Sequence, residues 1–143
     1  MRDSSALILI VEDDHATRVM YRDALHDAGF RTADAHNGHQ ALEKAHALHP
    51  DAVLTDLAVP GMDGFEFCRA LKRSGELTRI PVLAVTGHPE YFDQPERFRQ
   101  AGIDHVLMKP CDAETIVREL HRLLAASALS CSDSTRTASA RPA

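Results

Sequence analysis

The fold is decided near the N-terminus by the stretch LILIVEDD at residues 7–14. Five large apolar residues stand in a row, and three acids follow them with no turn residue between. A short, continuously apolar run is typical of a strand buried on both faces, as in a parallel sheet covered by helices. The acids place negative charge at the carboxyl end of that strand. The stretch therefore predicts an α/β fold with a charged edge.

The same pattern recurs along the chain, with stretches of helical period between the apolar runs. We predict strands at Ala6–Val11, Phe30–Ala35, Ala52–Thr55, Ile80–Val85 and Asp104–Met108. Five such units within residues 6–126 indicate a flavodoxin-like, doubly wound parallel sheet of strand order 2-1-3-4-5 with five helices.

Local signals mark the ends and faces of the first helix. Asp14 is a predicted N-cap, and Gly29 fits a C-terminal stop. We expect the inward stripe to consist of Ala16, Met20, Ala24, Leu25 and Ala28.

The later helices carry similar signals. Asp63 and Glu66 predict a capping box that opens the third helix, and Asp112 is the predicted N-cap of the last helix. The third helix should bury Phe65, Cys68 and Leu71 and leave Phe67 on its surface, and the last should bury Ile116, Val117, Leu120, Leu123 and Leu124.

Pro95 constrains the fourth helix, because proline is tolerated only in a first helical turn. We therefore predict a short fourth helix over residues 95 to 101, preceded by a loop that holds Tyr91 and Phe92.

Size, charge and cysteine content narrow the functional classes. The chain has 143 residues and a formal net charge of −5, so there is room for one domain and no clustered basic surface of the kind that binds nucleic acid. No apolar run reaches the ~20 residues that span a bilayer, and the start lacks the anatomy of a signal peptide. We predict a cytoplasmic protein without membrane insertion, whose three scattered cysteines are reduced.

The composition changes at residue 127. Residues 127–143 hold five Ser, two Thr and four Ala, with Leu129 and Cys131 as the only larger apolar groups. Such a stretch buries too little apolar surface to offset the entropy of ordering. We predict a folded domain over residues 1–126 and a disordered tail over 127–143.

Polar residues follow four of the predicted strands. Glu12 and Asp13 follow the first, Asp56 the third, Thr86 the fourth and Lys109 the fifth. In open α/β sheets a ligand site lies beyond the carboxyl ends of the strands, so these side chains should converge. Two carboxylates ~4 Å apart repel by roughly 4 kcal/mol at an effective dielectric of about 20. One lysine cannot neutralise three acids, and Mg²⁺ is the natural complement.

This set of groups suits phosphoryl transfer, which needs in-line positioning and charge stabilisation. A carboxylate is a known phosphoryl acceptor in covalent catalysis. The turn after the first strand has no glycine, so neither a dinucleotide fingerprint nor a P-loop is present.

Five motifs stand in order along the chain. They are LILIVEDD at 7–14, AVLTDL at 52–57, PGMDG at 60–64, VTG at 85–87 and MKP at 108–110. In their order and spacing, the chain resembles the receiver domains of bacterial two-component systems, which are CheY-like, and the resemblance covers residues 6 to 126.

The resemblance implies a role for each residue of the site. Asp56 would accept the phosphoryl group, and Lys109, joined to Pro110 by a cis peptide, would pair with its oxygens. The Thr86 hydroxyl and the Gly87 N–H would bond to the transferred group. Mg²⁺ would be held by Asp13, Asp56 and the Ala58 carbonyl, with Glu12 acting through water.

The resemblance also implies partners. A histidine kinase or a histidine phosphotransfer protein would donate the phosphoryl group, and a downstream effector protein would bind at the face of the fourth helix, fifth strand and fifth helix. A weak homodimer is left open. Such a protein is no general enzyme, because it catalyses only its own phosphorylation and dephosphorylation.

Three features are unusual for the family. The first is Val106, the second is the segment from Gly87 to Gln100 with its two prolines, and the third is the pair Ala58 and His88 at variable positions that flank the site. Val106 stands where the family generally has a Tyr or Phe that rotates as a switch. Ala58 offers no polar side chain to orient water, which argues against a true Mg²⁺ phosphohydrolase. His88 is the histidine that lies near the site. Six others fall on polar helical faces or loops, namely His15, His26, His39, His46, His49 and His121. The remaining alternative is a degenerate receiver that serves as a constitutive protein-interaction module.

Overall fold

A five-stranded parallel sheet of order β2-β1-β3-β4-β5 lies at the centre of the structure. The structure is a computed structural model, and it describes residues 6–58 and 62–140. Within these ranges, the side chains of residues 91 and 128–140 are not described. The strands are β1 (Leu7–Val11), β2 (Arg31–Ala35), β3 (Ala52–Asp56), β4 (Val82–Thr86) and β5 (His105–Met108). The predicted strand order and fold class are confirmed.

Within these described ranges, four α-helices connect the strands and a fifth follows the last strand. They are α1 (His15–Asp27), α2 (Gly38–Leu48), α3 (Gly64–Lys72), α4 (Pro95–Ala101) and α5 (Ala113–Ala140). The core has two parts, one on each face of the sheet. Residues of α1 and α5 pack on one face, and residues of α2, α3 and α4 pack on the other.

Strand β1 shows why a fully apolar run is needed. Ile8 and Ile10 belong to the core on the α1 and α5 side, whereas Leu9 and Val11 belong to the opposite core. Successive side chains of a strand point to opposite faces, so a strand covered on both faces has no polar position. All four side chains are at most 1% exposed.

The predicted helix caps are present. The Asp14 side chain accepts from Thr17 N at 2.9 Å, and Gly29 follows α1 with a φ of 94°. The capping box of α3 has both of its bonds, from Glu66 N to Asp63 and from Asp63 N to Glu66. At the start of α5, Asp112 accepts from the backbone N–H of Thr115 at 2.8 Å.

The predicted inward stripe of α1 is wrong in part. Ala16 is exposed and Met20 is 48% exposed, while the buried positions are Arg18, Tyr21 and Leu25. These three are spaced by three and four residues, and therefore share one helix face. The prediction followed the face that carries the alanines. The sequence does not show that the Arg18 guanidinium has buried partners, and so the face that contains Arg18 was not predicted to be buried.

Phe67 was predicted on the surface of α3 but is fully buried. The reason is that α3 packs between α2 and α4. The helix therefore has buried side chains on two faces, one toward each neighbouring helix.

The short helix α4 over residues 95–101 is confirmed, with Pro95 in its first turn. The segment before it is a 3₁₀ turn, Pro89–Asp93, where the sequence predicted a loop.

Two sequence predictions concern the ends of the chain and membrane insertion. The predicted tail begins at residue 127, while the helical backbone of α5 continues to Ala140. Side chains beyond residue 127 lie outside the described set, as do residues 141–143 altogether, and the tail stays a prediction. Within the described part of the chain, no helix combines the length and the hydrophobicity needed to cross a bilayer.

Candidate functional site

The polar residues predicted to converge do so at the carboxyl edge of the sheet. Glu12 directly follows β1, Asp56 ends β3, Thr86 ends β4 and Lys109 directly follows β5. Because β1, β3, β4 and β5 are consecutive neighbours in the sheet, residues separated by up to 97 positions share one edge.

Three carboxylates form the core of this site. Glu12, Asp13 and Asp56 each offer an oxygen, and these oxygens all lie within 4.8 Å of one another. Their environments differ, since Glu12 is 2% exposed, Asp56 is half-buried and Asp13 is exposed. The cluster therefore has a buried side, formed by Glu12, and a solvent-exposed side, formed by Asp13, from which a ligand can enter.

Lys109 joins two of these acids. Its Nζ donates to Asp56 Oδ2 at 2.9 Å and to Glu12 Oε1 at 3.2 Å. Burial of the amine lowers its pKa, but the hydrogen bond to Asp56 and the two negative charges more than offset this. The pKa of Lys109 is therefore raised above its ordinary value, and the amine is a permanent cation at neutral pH.

Glu12 shows the cost of placing an acid inside the protein. Burial raises the pKa of Glu12 above its ordinary value, and the nearby Asp56 charge adds to that rise. The backbone N–H of Asp14, which donates to Glu12 Oε2 at 3.1 Å, and the Lys109 cation act in the opposite direction. A further cation at this edge would stabilise the charged form of Glu12.

Two further predicted site residues, Ala58 and Thr86, have defined contacts at this edge of the sheet. The backbone N–H of Ala58 donates to Asp56 Oδ1 at 3.1 Å, which fixes the second oxygen of this carboxylate. Thr86 is fully buried, and its hydroxyl oxygen accepts from the N–H of His88 at 3.1 Å. The carbonyl of Thr86 accepts from the Lys109 N–H at 2.8 Å, which ties the two strand ends together.

Gly87 lies next to the lysine, and it is exposed. A Cβ placed on Gly87 would meet Lys109 Cβ at 3.9 Å, which is an ordinary contact. The Lys109–Pro110 peptide is cis, as the resemblance implied.

The donor set fits a hard divalent cation. Three carboxylates carry three negative charges against the single charge of Lys109, and oxygen ligands with incomplete protein coordination are the preference of Mg²⁺. Asp13 and Asp56 offer oxygens on the exposed and half-buried side of the cluster, where ordered water could complete the coordination.

Arg18 is a residue of this region that the sequence did not single out. It is 7% exposed and donates to the carbonyl oxygen of Glu12 at 2.8 Å. The only feature of the sequence that marks Arg18 is its position, four residues after the predicted N-cap Asp14. That position does not distinguish a buried arginine from a surface arginine.

Val106, which stands where the family generally has a Tyr or Phe, is half-buried. It packs against the core that contains residues of α3 and α4. In the same region Phe98 stacks on Phe65 with ring centroids 5.5 Å apart. His88 is exposed and its Nδ1 lies 3.4 Å from Glu90.

Comparison with known proteins gives a consistent result. Residues 8–121 match the response regulator receiver domain family. The polar-differentiation response regulator DivK of Brucella ovis is 33% identical over 117 residues, covering 82% of this chain and 94% of DivK. The structure of the chemotaxis response regulator CheY4 of Vibrio cholerae has a TM-score of 0.78 at 30% identity, covering 83% of this chain and 98% of CheY4.

A second solved structure bears on the metal. The receiver domain of the sensor histidine kinase PA1611 of Pseudomonas aeruginosa PAO1 has a TM-score of 0.77 at 29% identity, covering 85% of this chain and 98% of that domain. It has a magnesium ion coordinated in its active-site cleft.

Proposed function

This chain belongs to the response regulator receiver domain family, and we propose that it acts there as a Mg²⁺-dependent phosphoacceptor that takes its phosphoryl group on Asp56. The carrying observation is the position of the Asp56 carboxylate, 2.9 Å from the Lys109 amine and within 4.8 Å of the other two acids. An acid held between a cation and a metal-binding cluster is suited to attack a phosphorus atom whose oxygens both charges stabilise.

The transfer balances as a simple displacement. An Asp56 carboxylate oxygen attacks the phosphorus of a phosphohistidine, so that a P–O bond forms while the P–N bond breaks. The bonding electron pair leaves with the imidazole nitrogen of the donor. The product is an aspartyl phosphate, a mixed anhydride.

The residues of the chain divide the work. Asp13, Asp56 and the Ala58 carbonyl would hold Mg²⁺, with Glu12 acting through water, and the bound ion would neutralise charge on the phosphoryl oxygens. Lys109, already a cation at this edge, pairs with a phosphoryl oxygen.

Two further groups act after transfer. The Thr86 hydroxyl and the Gly87 N–H, at the end of the neighbouring strand β4, bond to the transferred group. These bonds form only in the phosphorylated state. Forming them would move the carboxyl end of β4 toward the phosphoryl group.

The proposed partners follow from this chemistry. A histidine kinase or a histidine phosphotransfer protein supplies the phosphoryl group in the cytoplasm, and an effector protein reads the phosphorylated state at the face of α4, β5 and α5. The chain is a switch in this scheme, with no substrate other than its own Asp56.

Acetyl phosphate tests the proposal without a cognate kinase. Incubated with acetyl phosphate and Mg²⁺, the full chain should gain the mass of one phosphoryl group, and Asp56→Ala should gain none. Asp23→Asn is the matched control, because Asp23 is an exposed acid on α1 whose carboxylate lies 3.8 Å from Arg22. No gain in the wild type, or an equal gain in Asp56→Ala, would contradict the assignment.

One observation favours a second candidate, a constitutive protein-interaction module. Val106 is half-buried and packs against the core, and its side chain cannot rotate between buried and exposed positions as an aromatic ring does. A pull-down with beryllofluoride-treated and untreated protein separates the two functions, because a switch captures its partner in one state and a constitutive module captures it equally in both.

A further inference from the structure

Arg18 is a buried cation that the phosphoacceptor chemistry does not use. Its Nη1 donates to the carbonyl oxygen of Glu12 at 2.8 Å, and its Nε lies 3.8 Å from Asp34 Oδ2 on β2. Its Nη2 is 3.1 Å from His15 Nδ1. Together these contacts connect α1, β2 and the turn between β1 and α1.

The stability of α1 does not explain this arginine. Arg18 is the fourth residue of the helix, where a cation interacts unfavourably with the helix dipole. Removing a guanidinium from water is also costly unless each group finds a partner. The contacts with Asp34 and with the Glu12 carbonyl compensate for this loss of hydration. Of these two partners, Glu12 belongs to the candidate site.

The Glu12 carbonyl matters because of the residue that follows it. The peptide unit is planar, so fixing the carbonyl oxygen of Glu12 also fixes the orientation of the Asp13 N–H and the position of its Cα. The Glu12 N–H is held by Ala35 O at 3.1 Å, and the Asp14 N–H is held by Glu12 Oε2 at 3.1 Å. Asp13 therefore lies between two anchored residues, although its own side chain is exposed.

We propose that Arg18 is a positioning residue for Mg²⁺ binding, which it serves by holding the Glu12–Asp13 peptide so that the Asp13 carboxylate faces Asp56. Asp34 supports this role by orienting the guanidinium. The inference rests on the proposed function, since it assigns Arg18 to the metal site of the phosphoacceptor. Arg18 itself does not touch the metal or the phosphoryl group.

Calorimetric titration of Mg²⁺ alone into the full chain tests this. Arg18→Met should raise the Kd for Mg²⁺ about tenfold, as loss of an outer-shell partner commonly does. Saturating Mg²⁺ should then restore the rate of phosphorylation by acetyl phosphate, because the phosphorylating groups are intact. Arg22→Met is the matched control: Arg22 lies one turn later on the same helix with its side chain 40% exposed, and its loss should leave the Kd unchanged.

Two milder variants decide the question if Arg18→Met does not fold. Arg18→Lys keeps the charge but loses the planar guanidinium, whose Nη1 and Nε reach the Glu12 carbonyl and Asp34 separately. Asp34→Asn removes the charge that orients the guanidinium. Each should weaken Mg²⁺ binding relative to Arg22→Met.

The outcomes separate the two proposals. A wild-type chain that neither binds Mg²⁺ nor gains a phosphoryl group contradicts the proposed function. A wild type that does both, alongside Arg18 and Asp34 variants whose Kd equals that of Arg22→Met, overturns the role of Arg18 alone. Such variants would have a lower melting temperature than the wild type, and Mg²⁺ would raise it by the same amount as in the wild type.

Discussion

Replacing Lys109 by Met exposes the electrostatic cost of the site. The substitution leaves Glu12 and Asp56 without their shared cation, although their side chains are only 2% and 11% exposed. Two negative charges within 4.8 Å of each other repel by at least about 3.5 kcal/mol at an effective dielectric of about 20.

The expected loss of stability is smaller than for a fully buried pair. Removing one partner of a buried ion pair costs roughly 3 to 5 kcal/mol. The Lys109 side chain is 28% exposed, so solvent screens part of the interaction, and we expect Lys109→Met to lower the free energy of unfolding by about 2 to 3 kcal/mol.

Urea unfolding in EDTA at neutral pH measures this loss, and a double-mutant cycle identifies its cause. In an Asp56→Asn background the repulsion is absent, so the cost of Lys109→Met should fall, giving a coupling of about 1 to 2 kcal/mol. Lys72→Met is the matched control. Lys72 is 21% exposed and donates to the carbonyls of Thr78 and Ile80, so its cost should be the same in both backgrounds.

The pH dependence gives the sign of the effect. Burial already raises the pKa of Glu12, and loss of Lys109 raises it further because a lowering influence is gone. Protonation of Glu12 removes the repulsion, so the deficit of Lys109→Met should be full at neutral pH and shrink as the pH falls through the raised pKa of Glu12. An equal cost of Lys109→Met in both backgrounds, with no change as the pH falls, would refute the electrostatic explanation.

Three further predictions concern the packing around the site. Gly64→Ala places a Cβ 2.7 Å from Leu57 Cα, where backbone must move, so the variant should lose about 1 to 3 kcal/mol in urea unfolding; unchanged stability would contradict the close approach. Burial raises the pKa of Tyr21 to about 12, so the folded state should lose stability as the pH rises from 10 to 12, and Tyr21→Phe should lose less; identical alkaline unfolding of the two proteins would count against a buried phenol. The Cys68 thiol is fully buried, and burial raises its pKa to about 12, so iodoacetamide followed by peptide mass spectrometry should label Cys111 before Cys68; equal labelling of these two under native conditions would mean that the core opens readily.

The sequence by itself determined the elements of the fold and predicted the polar residues that converge at one edge of the sheet. The apolar runs are local features, and a strand that is apolar at every position can only be buried on both faces. The prolines and caps are local too, and so the short helix α4 and the capping box at Asp63 were predicted with their correct positions. The parallel topology then required residues such as Asp56 and Lys109 to meet at one edge.

Only the tertiary structure decided which partners each polar group has. Arg18 became buried because Asp34 of β2 and the carbonyl of Glu12 are brought to it by the sheet, and no neighbour in the sequence indicates this. Phe67 is buried for the related reason that α3 has helices on both sides. Periodicity describes one helix at a time, whereas burial of a charge or of a second helix face depends on groups that are distant along the chain and close only in the folded protein.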